Sequence, residues 1–439
     1  YRSRPIVKAE AAEALMVRSL GSGANGIGYY MYHGGSTPKQ NNGVGFFSDD
    51  GMGMPKISYD YQAPIGEFGL VRDSYQNLRI LHTFLKDFGS ILAPMETVLP
   101  EGYEKITPDN RETLRYAARM KEDAGFIFMT NFQDHDTARF DQTDLQLKLK
   151  LKKQTLIIPS SKTFTLKKDQ SVILPFNLSM EGALLKYSTT QLLAKVEEKN
   201  AVHYFFFAPE GLRTEYSFDK STLSSGKEFY TPKPGLKSTF SITVKNGKTL
   251  KITTLTRQQA LNTTKVNNHI LITEATVLPE KEQCTLLSLG KTQISYALYT
   301  ANKGWKEETI EVQPVDVKAD WKKVGTRRMT VKIDQPDVPQ VNDYFLRVNY
   351  VADVAMAFIG GYLVLDHYYY GIPWTIGLRR FKNELKNEYL SFYFRPLRKD
   401  APFIGDLPVE AIPDFSQKDA DCLVRSVDVI PEYKAIVNI

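Results

Sequence analysis

The sequence predicts a multidomain protein that begins as α/β and continues as all-β. Three observations carry that reading. The first 90 residues hold two helical patterns around one apolar run. From about residue 120 the chain breaks into short apolar or alternating runs separated by turn residues, the rhythm of antiparallel β-sandwiches. The length, 439 residues, leaves room for about three domains at ~150 residues each.

Taken in order, residues 7–20, VKAEAAEALMVRSL, are rich in strong helix formers and stop at Gly21-Ser22-Gly23. Gly26 to Tyr32 follows as a continuous apolar and aromatic run with no helical stripe, which predicts a buried strand entering His33-Gly34-Gly35. A strand ending in two glycines fits a tight turn, and it also fits the rim of a ligand site. Residues 73–89 predict a second helix: Asp73 or Ser74 can cap it, Leu78, Leu81, Phe84, Leu85 and Phe88 recur at helical spacing, and Gly89 sits where a C-cap glycine belongs. Helix, strand, loop and helix make the tail of an α/β repeat, and one strand cannot form a sheet, so this segment reads as the severed end of a larger unit.

Downstream, FIFMTNF, LQLKLKLK, TLIIP, SVILPFNL, ALLKYST and HYFFFAPEG read as strands, and LQLKLKLKK at 145–153 as a half-buried one that turns its lysines to water. SITV and LKITTLT are strand-like pieces within a Ser, Thr, Lys and Gly-rich stretch, 210–310. From about 315 a further β unit begins, with strands at 344–350, 354–360, 362–366 and 388–394 and a hairpin signal at Gly360-Gly361. The expected division is 1–94, 95–311 and 312–439.

Composition narrows the function. Hydrophobic residues make up 42% and charged residues 24%, so the chain should be globular. The net charge of +6 arises from 56 basic and 50 acidic residues scattered along the chain, which disfavours nucleic acid as a partner. No run of ~18 apolar residues exists to span a membrane. Cys284 and Cys422 are the only cysteines and form no CxxC, so neither a zinc site nor a disulfide framework is indicated, and a single bridge is left open. Asp134-His135-Asp136 could suggest a metal, but neighbours on a strand face opposite ways, and a solvated loop fits better. Asn177 and Asn262 begin glycosylation triplets, a pattern short enough to arise by chance.

The densest chemistry lies in ISYDYQAPIGEFG, 57–69, where Tyr59 and Tyr61 flank Asp60. Two hydroxyls, a carboxylate and two flat faces suit a sugar ring, and a packed loop would use the same residues. GYYMYHGGSTP followed by SYDYQAPIGEFG and by a helix ending in LKDFGSILAP resembles the end of the catalytic barrel in glycoside hydrolase family 35, the β-galactosidases. Ser36-Thr37 stands where that family has Thr-Asn, and Gln62 where it has Asp. GALLKYSTTQLLAK and HYFFFAPEGLRTEY are similar to the β domain of a bacterial branch of the family.

The resemblance implies the C-terminal end of a (β/α)8 TIM barrel followed by antiparallel, jelly-roll-like β-sandwiches. It implies exo-acting, retaining hydrolysis of terminal β-linked galactose or a related sugar, in galactosides or oligosaccharides, by two glutamates, with no cofactor and no metal. Both glutamates are expected upstream of Tyr1, since they precede the family segment that residues 1–5 resemble. A missing N-terminal barrel portion is therefore the implied partner, and no catalytic residue is assigned in this chain. Glu10 and Glu13 fall on a helix expected at the surface, and Glu67 in a motif with another role, that of ordering its loop. Tyr61 matches the family tyrosine that contacts galactose, with Tyr59 beside it. Tyr32 and His33 sit at the strand end, where shaping the pocket fits better than touching sugar. His82 lies among core residues of its helix. Asp366, His367, Tyr368, Tyr369, Tyr370 and Trp374 form a later aromatic cluster that could bind sugar, although bracing the barrel explains it better. A periplasmic or extracellular location follows from the resemblance. The alternative function is a non-catalytic carbohydrate-binding or scaffold chain.

Overall fold

The computed structural model describes residues 3–38, 55–152 and 154–439. Two long helices open the chain, α1 (Ala9–Gly21) and α2 (Asp73–Leu92), and nearly everything after them is strand. Helix α2 buries Leu78, Leu81, Phe84, Phe88 and Leu92 on one stripe, each contributing up to roughly 2 kcal/mol. That stripe and Met16, Val17 and Leu20 of α1 pack on Phe126, Phe128 and Ile173 of the adjoining sheet. The helix pair therefore sits on the first β unit as a lid.

Two sequence expectations change here. Helix α2 runs past Gly89 to Leu92, and its N-cap is Arg72 with no side-chain cap bond. The continuation has a cause outside the helix. The guanidinium of Arg119, a strand residue 1% exposed, donates to the carbonyls of Leu20 and Ala24 at the end of α1 and of Leu92, Ala93 and Met95 at the end of α2. One cation thus serves the last carbonyls of two helices and opposes both dipoles. The other change concerns Gly26 to Tyr32, which carries no strand pairing. A parallel barrel strand needs hydrogen-bonded neighbours along its length, and among the described residues only His33 makes one parallel bridge, to Ile65.

The first β unit stacks two sheets. One has seven strands in the order Phe229–Tyr230, Tyr216–Phe218, Ala183–Ser188, Ser171–Met180, Ala124–Thr130, Arg115–Lys121, Glu96–Val98. The other has five and contains a parallel pair, Ala201–Ala208 with Thr249–Thr256. A four-stranded sheet, Thr263–Val266 to Gly304–Glu311, covers the outer face of the five-stranded one through Phe205, Phe207, Ile270 and Tyr299. LQLKLKLK breaks at Gln146 into two short strands, Gln142–Leu145 and Leu147–Lys150, which pair with different partners.

The last unit is an antiparallel sandwich of two five-stranded sheets. Tyr344, Leu346, Val348 and Tyr350 face Ala355, Ala357, Phe392 and Phe394 across its core. Thr276–Pro279 and Gln283–Leu289 hydrogen-bond into one of these sheets, so that sheet draws on chain from both sides of position 312. The hairpin turns at Gly360-Gly361, both at positive φ (56° and 85°), as a two-residue turn between right-twisted strands requires. Cys284 and Cys422 are both free thiols. No helix among the described residues is long and apolar enough to cross a membrane.

Candidate functional site

The loop 55–72 is built around one carboxylate. Asp60 accepts from the N–H of Gln62 (3.0 Å) and Glu67 (2.7 Å), and its Oδ1 pairs with Arg72 at 2.6 Å. Gly34 makes room for it: a Cβ there would lie 2.9 Å from Asp60 Cα. That close approach explains the glycine after the histidine. Asp60 thus spends much of its carboxylate on the backbone and on Arg72 of its own loop.

The turn beyond Asp60 places Tyr61 and Gln62 consecutively at left-handed φ, 43° and 58°. Non-glycine residues hold that conformation only where neighbours impose it, and the Asp60 bonds do so. The outcome is an outward Tyr61, 38% exposed, set edge-on to Tyr59 with ring centroids 4.9 Å apart at 87°. Tyr30, 88% exposed, shares a hydroxyl-to-hydroxyl hydrogen bond with Tyr59. Tyr59 and Tyr61, expected together from the motif, are together.

Tyr32 is placed elsewhere. Tyr32 points into the helix layer, with its ring 5.3 Å from Tyr29, 6.1 Å from Tyr75 and 5.6 Å from His82, and burial pushes its hydroxyl up to about 12. His33 turns Nδ1 onto the carbonyl of Gly34. Tyr32 thus packs among Tyr29, Tyr75 and His82.

Glu67 is 7% exposed, accepts from Ser36 Oγ and lies 3.5 Å from Arg380; burial raises its pKa. Glu13, expected on a surface helix, is instead 2% exposed and paired with Arg257 (2.5 Å) and Asn77 (3.0 Å). Its helix packs against α2, and Arg257, the first residue of the short helix Arg257–Leu261, offsets the buried charge. Tyr1, upstream of which both catalytic glutamates are expected, lies outside the described residues. Asp136 pairs with Arg111 at 2.8 Å, and among the described residues no group of three or more His, Cys, Asp and Glu could hold a metal. Asn177, 8% exposed, spends its amide on the carbonyl of Asp123.

The last sandwich reaches this loop from the far side. Asp366, 1% exposed, accepts from the backbone N–H groups of Lys56, Ile57 (3.1 Å) and Ser58 (2.8 Å). Arg4 pairs with Asp353 at 2.6 Å, donates to the carbonyl of Tyr369 and lies 3.4 Å over the ring of Phe403. Arg380 donates to Ser36 Oγ (2.6 Å) and stacks on Phe68. Of the aromatic cluster, Trp374 is core, 4% exposed and stacked on His367 at 5.3 Å. Between loop and sandwich lies a cavity of about 220 Å³ whose walls include Tyr61, Arg72, His367, Tyr368, Tyr370 and Trp374. The sequence does not mark Asp366 or Tyr30 as belonging to the tyrosine loop. Asp366 acts across some 310 positions of chain, and Tyr30 has the pattern of any strand aromatic.

Two family models match the chain: "Glycosyl hydrolases family 35" over residues 2–85 and "Beta-galactosidase, domain 2" over 101–276. The chain belongs to glycoside hydrolase family 35. A β-galactosidase of Oryza sativa subsp. japonica, "Beta-galactosidase 6", is 27% identical over 144 residues, 33% of this chain and 15% of the rice protein. The aligned stretch is therefore a small part of that relative. Among solved structures, a GH31 α-xylosidase from Xanthomonas citri aligns over 75% of this chain and 37% of its own at 10% identity, with a TM-score of 0.12, too low to support an argument. Both family matches fall on the stretches that build the tyrosine loop and the sheets beneath α1 and α2.

Proposed function

We propose that this family 35 chain is the C-terminal part of an exo-acting, retaining β-galactosidase, in which residues 1–94 close a (β/α)8 barrel and present Tyr61 and Tyr59 to a terminal β-linked galactose. The observation that carries the reading is the Asp60-centred turn, which fixes two tyrosine rings at right angles on the outer side of a loop matching the family model. Such a pair offers a CH-stacking face and hydroxyl donors. In a retaining enzyme two carboxyl groups ~5 Å apart supply acid and nucleophile. Glu13 and Glu67 are bound to Arg257 and to Ser36 and Arg380, so the reading places both catalytic carboxyls in barrel sequence upstream of Tyr1. Export to a periplasmic or extracellular space belongs to the same proposal.

The aromatic seam cavity favours a second reading, a non-catalytic carbohydrate-binding chain. Kinetics on the complete enzyme separates the two. Tyr61→Phe should cost roughly 1–2 kcal/mol of transition-state binding, a ~5–30-fold loss in kcat/KM on nitrophenyl β-galactoside. Unchanged kinetics would remove Tyr61 from the site.

A further inference from the structure

We infer that Asp366, contributed by the C-terminal sandwich, is a positioning residue for the substrate loop; the inference rests on the galactosidase reading above. Asp366 lies on the strand Tyr362–Tyr368, paired with Met356 of the next strand, and is therefore held by a sheet rather than by a loop. Its carboxylate gathers three successive N–H groups, those of Lys56, Ile57 and Ser58, and Ser58 immediately precedes Tyr59-Asp60-Tyr61. Successive N–H groups aimed at one anion form a concave nest, and charge-assisted bonds of this kind are about twice as strong as neutral ones.

The partners fix one another. A carboxylate 1% exposed is costly unless its oxygens are filled, and only this course of the backbone fills them. The same backbone runs into the two-residue pairing of Ser58–Tyr59 with Gly35–Ser36, so the anchor and the tyrosines are joined by one short, hydrogen-bonded segment. Asp60 shapes the turn from within, whereas Asp366 sets where the whole turn stands. A misplacement of about 1 Å in a substrate-binding group can cost ~100-fold in rate.

Asp366→Asn keeps the shape but turns an amide donor toward backbone donors. In the complete enzyme it should lower kcat/KM on nitrophenyl β-galactoside by ~30-fold or more, and in that background Tyr61→Phe should cost less than ~2-fold, because Asp366 acts through the loop that carries Tyr61. Full additivity of the two substitutions would overturn the inference, since a merely structural role leaves the tyrosine's own contribution intact.

Amide hydrogen exchange supplies the readout that needs no activity. Ile57 and Ser58 should exchange at least ~10-fold faster in Asp366→Asn, with the strand Val354–Ile359 unchanged; equal rates at Ile57 and Ser58 would overturn the inference. Should the unmodified enzyme hydrolyse no galactoside, the galactosidase reading falls while the exchange result still decides the positioning claim. If Asp366→Asn does not fold, the same measurements on Lys56→Pro, which deletes one of the donors from the loop side, decide in its place, with the same direction of effect expected.

Discussion

Arg119→Met is expected to destabilise the protein by roughly 3–5 kcal/mol, because it removes a buried cation and leaves helix-end carbonyls short of donors. The guanidinium reaches the carbonyls of Leu20, Ala24, Leu92, Ala93 and Met95 and the side chain of Asn25, all at the ends of the two helices or just past them. Methionine fills the volume and supplies no hydrogen bond, so the loss isolates the polar role. Arg119→Lys should recover less than half of it, since a compact ammonium cannot span the ends of two helices. Urea unfolding followed by circular dichroism at a helix-sensitive wavelength is the check. A loss below ~1 kcal/mol for Arg119→Met would mean that water replaces the guanidinium at no cost, contrary to its burial.

The other large effect is acid sensitivity. His203 is 2% exposed between two sheets, stacked on Phe205 at 4.3 Å, with Nδ1 2.6 Å from Tyr299 Oη and Nε2 2.7 Å from Thr253 Oγ1. Tyr299 donates its one hydroxyl proton to Glu198, so its oxygen accepts from Nδ1–H and Nε2 accepts from Thr253. Glu198 lies 3.7 Å from the ring and is itself paired with Lys251. Burial outweighs the attraction of Glu198 and lowers the His203 pKa to about 4; His367, buried in the last sandwich, is lowered to about 3.

A histidine lowered on folding takes up its proton more readily when unfolded. Its stabilising share is present above the unfolded pKa of about 6.5 and is lost as pH falls toward the folded value. For His203 alone that amounts to roughly 3 kcal/mol between pH 6.5 and 4. His203→Gln should lower stability at pH 7 and flatten this acid limb. A stability curve level from pH 7 to 4 in the unmodified protein would contradict the assignment.

How much of this is legible in sequence depends on the range of the interaction. The stripe of α2, the strand Val354–Ile359 and the Gly360-Gly361 turn are local patterns, and each has its structural counterpart. The sequence ends α2 too early, at Gly89, because the groups that prolong it belong to Arg119, some 30 positions away and indistinguishable in RYAARMK from a solvent-facing strand arginine. Glu13 reads as exposed for the same kind of reason: its counter-charge, Arg257, is distant in the chain. In the candidate site, the SYDY motif puts Tyr59 and Tyr61 close in sequence, and their rings do meet, but it cannot show that Asp60 turns inward, since donors from Gln62, Glu67 and Arg72 meet it only once the loop is closed. The segment Gly26 to Tyr32 pairs with no strand among the described residues, because apolar pattern describes what a segment can pair with and does not supply the partner.

The most direct test of the account is a comparison of turnover on nitrophenyl β-galactoside by residues 1–439 alone and by the same chain joined to the barrel portion proposed to precede Tyr1. The account predicts no turnover above the uncatalysed rate from residues 1–439 and retaining hydrolysis, with the β-anomer as first product, from the joined protein. Turnover by residues 1–439 alone at a rate matching the joined protein would contradict it, since the acid and the nucleophile would then have to lie within this chain.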